Sequence, residues 1–230
     1  MKNLRFFITS VLFIYFTTSV FSRSIQDKQF AIFSYEVIID DNFRDEIADL
    51  DDLINTIRSY TGKKQDKLEG KIFDIAYPYL EKKLENKYEI DILPVNTFTD
   101  NIKYNRYNYP ATSIKKAQEL GNSHYYLKII IYVETSTPKT KEAKNSILYQ
   151  GKTTPKVVVE IEAYDKIGIL PLGKAVGVGK ASTPQKIEDD FLKGIIRPVK
   201  EEEIPALGEN LMGVLYDAIE RVVKNFRSAI

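Results

Sequence analysis

HYYLKIIIYV, residues 124–133, is almost continuously apolar and dense in β-branched and aromatic side chains. A run of this length and composition predicts a strand, and its near-continuity predicts burial on both faces in the middle of a sheet. Downstream, KVVVEIEAY (156–164) and LGKAVGVGKA (172–181) flank a turn region around Asp165–Gly168, which predicts an antiparallel hairpin. Upstream, QFAIFSYEVII (29–39) ends in Asp40-Asp41, a strand followed by a turn.

Helical periods fill the gaps between these strands. Ile47, Leu50, Leu53, Ile54 and Ile57 recur on one face and stop at Thr61-Gly62. A second helix is expected from Asp66 as a capping residue, through Leu68, Ile72, Ile75, Tyr79 and Leu84, with a kink or a restart at Pro78. YEIDILPV (88–95) reads as a strand that ends at Pro94, and Thr112 or Ser113 caps a short helix that leaves through Gly121. A last helix is predicted to open at Glu201–Pro205 and to run through Ile204, Leu207, Leu211, Leu215, Ile219, Val222 and Phe226. The order β-α-α-β-α-β-β-β-α predicts an α/β (α+β) fold, a single mixed β-sheet covered by helices.

Composition sets the class. The 230 residues are 43% apolar and 28% charged, with 11 Gly and 9 Pro, which is the composition of a folded domain. A formal charge of +1 leaves no general attraction to phosphate backbones, so nucleic acid is not an expected partner. With no Cys there is no disulfide framework, thiol nucleophile, Cys-ligated metal or lipid carried on an N-terminal Cys.

Lys2 and Arg5 precede the uncharged run Phe6–Val20, and small residues follow at Ser22 and Ser24. That is the pattern of a secretory signal peptide, 1–22, cleaved after Ser22 or Ser24, and the run is shorter than the roughly 20 residues that span a bilayer. The rest, 23–230, is read as one α/β domain carrying two mobile loops, 96–110 and 134–155, exported to the periplasm or cell exterior and soluble or peripherally attached.

Candidate chemistry is sparse. His124 is the sole imidazole, and neither a Gly-x-Ser-x-Gly turn nor a His-Glu-x-x-His helix accompanies it. In GKAVGVGKAS, Gly173 and Gly179 stand too far apart for a phosphate loop and Lys180 is followed by Ala181, so the glycines are read as sites of close packing. Acidic clusters at Asp40-Asp41, at Asp49, Asp51 and Asp52, and at Glu188–Asp190 lack the spacing of a calcium loop and read as solvated faces and turns. No catalytic residue, metal ligand or cofactor is nominated. The segment NTFTDNIKYNRYNYP (96–110) has no helical or strand period, and its Tyr104, Arg106, Tyr107 and Tyr109 have the chemistry of a partner-binding surface.

The strand ending in Leu93-Pro94-Val95, the short helix with Ala117, Glu119, Leu120 and Gly121, the strand beginning His124-Tyr125-Tyr126-Leu127, and the hairpin with Tyr164-Asp165 and Gly168 together resemble the periplasmic α/β domain shared by CsgG-like proteins and the TolB N-terminal domain. The similarity covers roughly 66–227. It implies an envelope-associated accessory or assembly module, with no catalytic residues to carry across. Two departures stand against a secretion pore: the lipid-anchoring Cys is missing, and 134–155 lacks the sustained alternation of membrane hairpins. The expected function is therefore an exported, non-enzymatic envelope module that binds another envelope protein or a glycan, with homo-oligomers compatible. The rivals are a secreted hydrolase of glycan or peptide whose carboxylates converge only in the fold, which predicts a cleft with two acids and an aromatic wall, and a small-molecule carrier, which predicts an apolar cavity.

Overall fold

Gln29–Ile39 forms strand β1 with the bounds its apolar run predicts. Asp40 ends it, its Oδ1 accepting from the Asn42 N–H at 2.8 Å and turning the chain into helix α1, Asp41–Glu46. These features come from a computed structural model that describes residues 25–47, 68–136, 152–195 and 208–230. The expected signal peptide, the residues of the first helix beyond Ile47, the Asp66 cap and the opening of the last helix at 201–205 lie outside the described residues.

Helix α2 is Leu68–Tyr88, and it passes Pro78 as one helix rather than a restarted pair. Its buried stripe is Ile72, Phe73, Ala76, Leu80 and Leu84, and Pro78 stands on the exposed side. The helix takes Tyr88, whose hydroxyl donates to the Val223 carbonyl at 2.7 Å, so the strand expected over 88–95 shrinks to β2, Asp91–Ile92. Leu93 N–H still reaches the Phe30 carbonyl at 2.8 Å, and Pro94, with no N–H to give, ends the ladder. Helix α3, Ile114–Leu120, is capped by Ser113, which accepts from the Lys116 N–H, and leaves through Gly121 at φ 66°.

Strands β3 (Tyr125–Ser136), β4 (Thr154–Tyr164) and β5 (Gly173–Lys180) complete one mixed sheet in the order β2-β1-β3-β4-β5. β1 runs parallel to β2 and β3, while β4 is antiparallel to β3 and β5. The loop expected over 134–155 is narrower than the sequence suggests. Strand pairing continues through Ser136↔Thr154, and Lys156 Nζ lies 2.6 Å from Glu134 Oε2 across it.

A one-turn helix α4, Asp189–Leu192, lies between β5 and the last helix, where the sequence predicts no element. The last helix, α5, is Leu211–Asn225, capped by Asn210, whose Oδ1 accepts from the Gly213 N–H at 2.9 Å; it ends in a 3-10 turn, Phe226–Ala229. Helices α2 and α5 cover one face of the sheet and are joined at Tyr79, which stacks on Tyr216 at 4.0 Å and donates to Glu220 at 2.8 Å; Lys83 also pairs with Glu220. On the other face, among the described residues, Phe98, Ile102 and Ala117 pack on Ala31, Phe33, Tyr126 and Tyr164, at the end of the sheet where β1 and β3 begin.

Candidate functional site

The Tyr-rich segment is anchored residue by residue. Asn105 Oδ1 accepts from the N–H groups of Tyr107 and Tyr109 at 2.9 and 3.1 Å, and Asn105 N–H donates to the Tyr109 carbonyl at 2.9 Å. Ala111 N–H closes this small hairpin on Lys103, and Tyr35 N–H and Thr112 N–H attach it to β1 through the Pro110 and Phe33 carbonyls. It therefore continues the sheet edge where β2 stops.

Its side chains point inward for the most part. Tyr109 is buried, stacked on Phe73 with centroids 4.7 Å apart and meeting the Tyr35 ring edge-on at 5.1 Å. Tyr107 is half-buried against Phe73 and over Gly70, where an added Cβ would lie 2.7 Å from the ring. Tyr104 packs instead on the opposite face of the sheet, against the Phe98 cluster. Arg106 alone of the four is exposed, with its guanidinium 4.8 Å from the Tyr107 ring centroid and 3.9 Å from Glu69. The expectation that all four face a partner is corrected for Tyr109, because aromatic burial against α2 outweighs exposure of its ring.

Glu69, which the sequence did not single out, is the buried carboxylate here; Arg44 of α1 lies 2.7 Å from it. His124 is exposed, its Nδ1 accepting from the Gln29 N–H at 3.3 Å, while Ser123 Oγ donates to the Gln29 carbonyl at 2.7 Å rather than to the imidazole. Both serve the junction of β1 and β3. The β5 glycines serve packing, as expected: Gly177 and Gly179 lie against the backbone of α5.

Beyond Lys128 no described residue covers the second face of the sheet, and the double burial expected along β3 holds only at its first residues. Register brings four strands together there. Ile38, Tyr132, Val158 and Val178 form one cross-strand row, with Ile38 43% and Val178 40% exposed. The neighbouring row is Glu36, Ile130, Glu160 and Val176, and Glu134, Lys156 and Lys180 border the patch on the other side. Lys174 pairs with Glu160 at 2.7 Å. An apolar band rimmed by charges is equipped for contact with another surface.

Among the described residues no cluster could hold a metal ion, and no helix is long and apolar enough to cross a membrane. No family model and no curated protein matches the chain. Solved structures similar to it include a hypothetical protein from Chlamydia trachomatis, at 9% identity and TM-score 0.41 over 88% of this chain and 97% of that one, and a lipoprotein from Neisseria meningitidis, at 11% identity and TM-score 0.40 over 74% and 90%.

The packed tyrosines make stability alkali-sensitive. Burial, then the Asp74 carboxylate, raises Tyr109 from 10.0 to about 12, and burial with a hydrogen bond to Glu162 does the same for Tyr164. The folded chain keeps protons that the unfolded chain gives up, so the stability they contribute is complete below pH 10 and is lost as pH climbs toward about 12. The urea midpoint is expected to fall across that window, and less steeply in Tyr109→Phe. A midpoint independent of pH there would contradict this.

Proposed function

We propose that the protein is an exported, non-enzymatic accessory module of the cell envelope that works by assembly, with the open sheet face as its contact surface and a second copy of the chain as the occupant. The observation that carries this is the cross-strand row Ile38–Tyr132–Val158–Val178. The signal-peptide pattern of residues 1–22 supports export. The resemblance of 66–227 to the CsgG-like and TolB N-terminal periplasmic domains favours the same class, and membership of that group is part of the proposal.

A second copy is favoured by the polarity of the face. Its β1 side carries Glu36 and its β5 side carries Lys174 and Lys180. Two such faces stacked about a two-fold axis parallel to the strands lay the β1 side of one copy over the β5 side of the other. The apolar rows then coincide, and Glu36 of one copy lies over Val176 of the other, one row from its Lys174.

Sedimentation velocity tests it. The wild-type chain is expected to dimerise, Val178→Asp to weaken the dimer by about 100-fold from loss of the apolar row and burial of an unpaired charge, and Glu36→Lys to weaken it until Lys174→Glu is added. A wild-type chain that stays monomeric at concentrations on the order of 100 µM would overturn the reading.

A further inference from the structure

The turn between β4 and β5, Asp165–Leu172, is apolar where turns are ordinarily polar. Ile167 is 89% exposed, Leu170 76%, Ile169 69% and Leu172 42%, and these are four of the six large apolar side chains exposed among the described residues. The tip is also stiff. Asp165 Oδ1 accepts from the Ile167 and Gly168 N–H groups at 2.9 and 2.5 Å, and Gln118 of α3 donates from Nε2 to the Asp165 and Gly168 carbonyls, both at 2.9 Å. Leu172 N–H closes the hairpin on the Ala163 carbonyl at 2.7 Å. The apolar side chains are thus presented on a loop whose shape is set beforehand, and several of its backbone polar groups are already satisfied.

The geometry points to this tip as a membrane-contact element that enters the acyl boundary of a bilayer leaflet. Three observations favour lipid over a protein pocket. The four side chains are all aliphatic, whereas protein hot spots are built on Trp, Tyr and Arg. The exposed Lys166 stands beside them, placed to keep its ammonium group at the headgroups while the tip is immersed. Internal bonding of the turn lowers the cost of taking its backbone out of water.

Topology adds a fourth observation. The pairings Phe30↔Tyr125, Tyr126↔Tyr164 and Ala163↔Gly173 put the start of β1 at the same end of the sheet as the tip. The chain that runs back from Ile25 therefore joins the fold at the tip's end, so during export this end is the one nearest the bilayer until the expected cleavage after Ser22 or Ser24. The inference stands apart from the sheet-face proposal, because the tip and the open face share no residue.

The chain contains no Trp, so Leu170→Trp is a single reporter. With the exported protein and vesicles of phosphatidylethanolamine and phosphatidylglycerol, its emission is expected to shift to the blue and to be quenched by brominated acyl chains. Flotation with the same vesicles is expected to show partition of the wild type lowered by at least about tenfold in the Ile169→Asp, Leu170→Asp double variant, with thermal unfolding unchanged. Emission indifferent to vesicles, with equal flotation of both forms, would overturn the inference. So would a blue shift that appears without lipid as protein concentration rises, since the tip would then be packing against protein.

Discussion

Gly179→Ala is expected to destabilise the fold by about 3 kcal/mol or more, the upper part of the range for overpacking, because no rotamer can relieve the clash. A Cβ there would lie 2.0 Å from the Val214 carbonyl oxygen and 2.8 Å from the Ala218 nitrogen. Gly177→Ala meets the same obstacle one step along, 2.1 Å from the Ala218 carbonyl and 2.2 Å from the Val222 nitrogen. Val214, Ala218 and Val222 form one stripe of α5 at four-residue spacing, and this stripe rests directly on β5. To admit one methyl group the helix must lift, which loosens Val214, Leu215, Ala218 and Ile219 together, all of them buried. Against a typical stability of about 5–15 kcal/mol, the double variant is expected not to fold. Gly121→Ala is the control: its φ is 66° but nothing lies within 4 Å, so it should cost only the left-handed conformation, about 1–2 kcal/mol. Urea unfolding of the three single variants settles the order, and a Gly179→Ala loss no larger than that of Gly121→Ala would refute the close-packing account.

Those glycines were legible in the sequence as sites of close approach, though the element they receive was not. Local pattern also fixed β1, the Ser113–Gly121 helix and the β4–β5 hairpin, since each carries its own start and stop chemistry within a dozen residues. Where tertiary pairing decides, sequence reading ran out. HYYLKIIIYV implied burial on both faces, yet Ile130 and Tyr132 are only partly buried on the open side, because an apolar run cannot distinguish a covered face from an uncovered apolar row. The row itself draws Ile38, Tyr132, Val158 and Val178 from four separate strands, and only register aligns them. Nothing in the local pattern marks Glu69 for burial; its place beside Arg44 depends on where α1 lies. The turn around Asp165–Gly168 is legible in the sequence, while its reach to Leu172 and the exposure of its aliphatic residues are properties of the folded surface.

Tyr109→Ala separates the two roles open to the Tyr-rich segment, packing and contact. Removing the ring takes away the stacking partner of Phe73 and the edge contact to the fully buried Tyr35, beneath a hairpin held to β1 by a few backbone bonds. Large-to-small aromatic truncations of this kind cost about 3–5 kcal/mol, and 103–112 has no other core residue as large to take up the space. Tyr109→Phe keeps both ring contacts and loses the hydroxyl that faces Asp74, so about 1 kcal/mol is expected. Arg106→Ala should stay within about 0.5 kcal/mol of wild type, since the side chain is exposed, lies 3.9 Å from Glu69, and leaves Arg44 at 2.7 Å to compensate that carboxylate. A partner lost on Arg106→Ala with stability intact would mark this edge as a contact surface, whereas loss only on Tyr109→Ala would be a folding effect. Should Tyr109→Ala unfold at the wild-type urea midpoint, the packing role argued for this ring is wrong and the segment is free to serve as a binding loop.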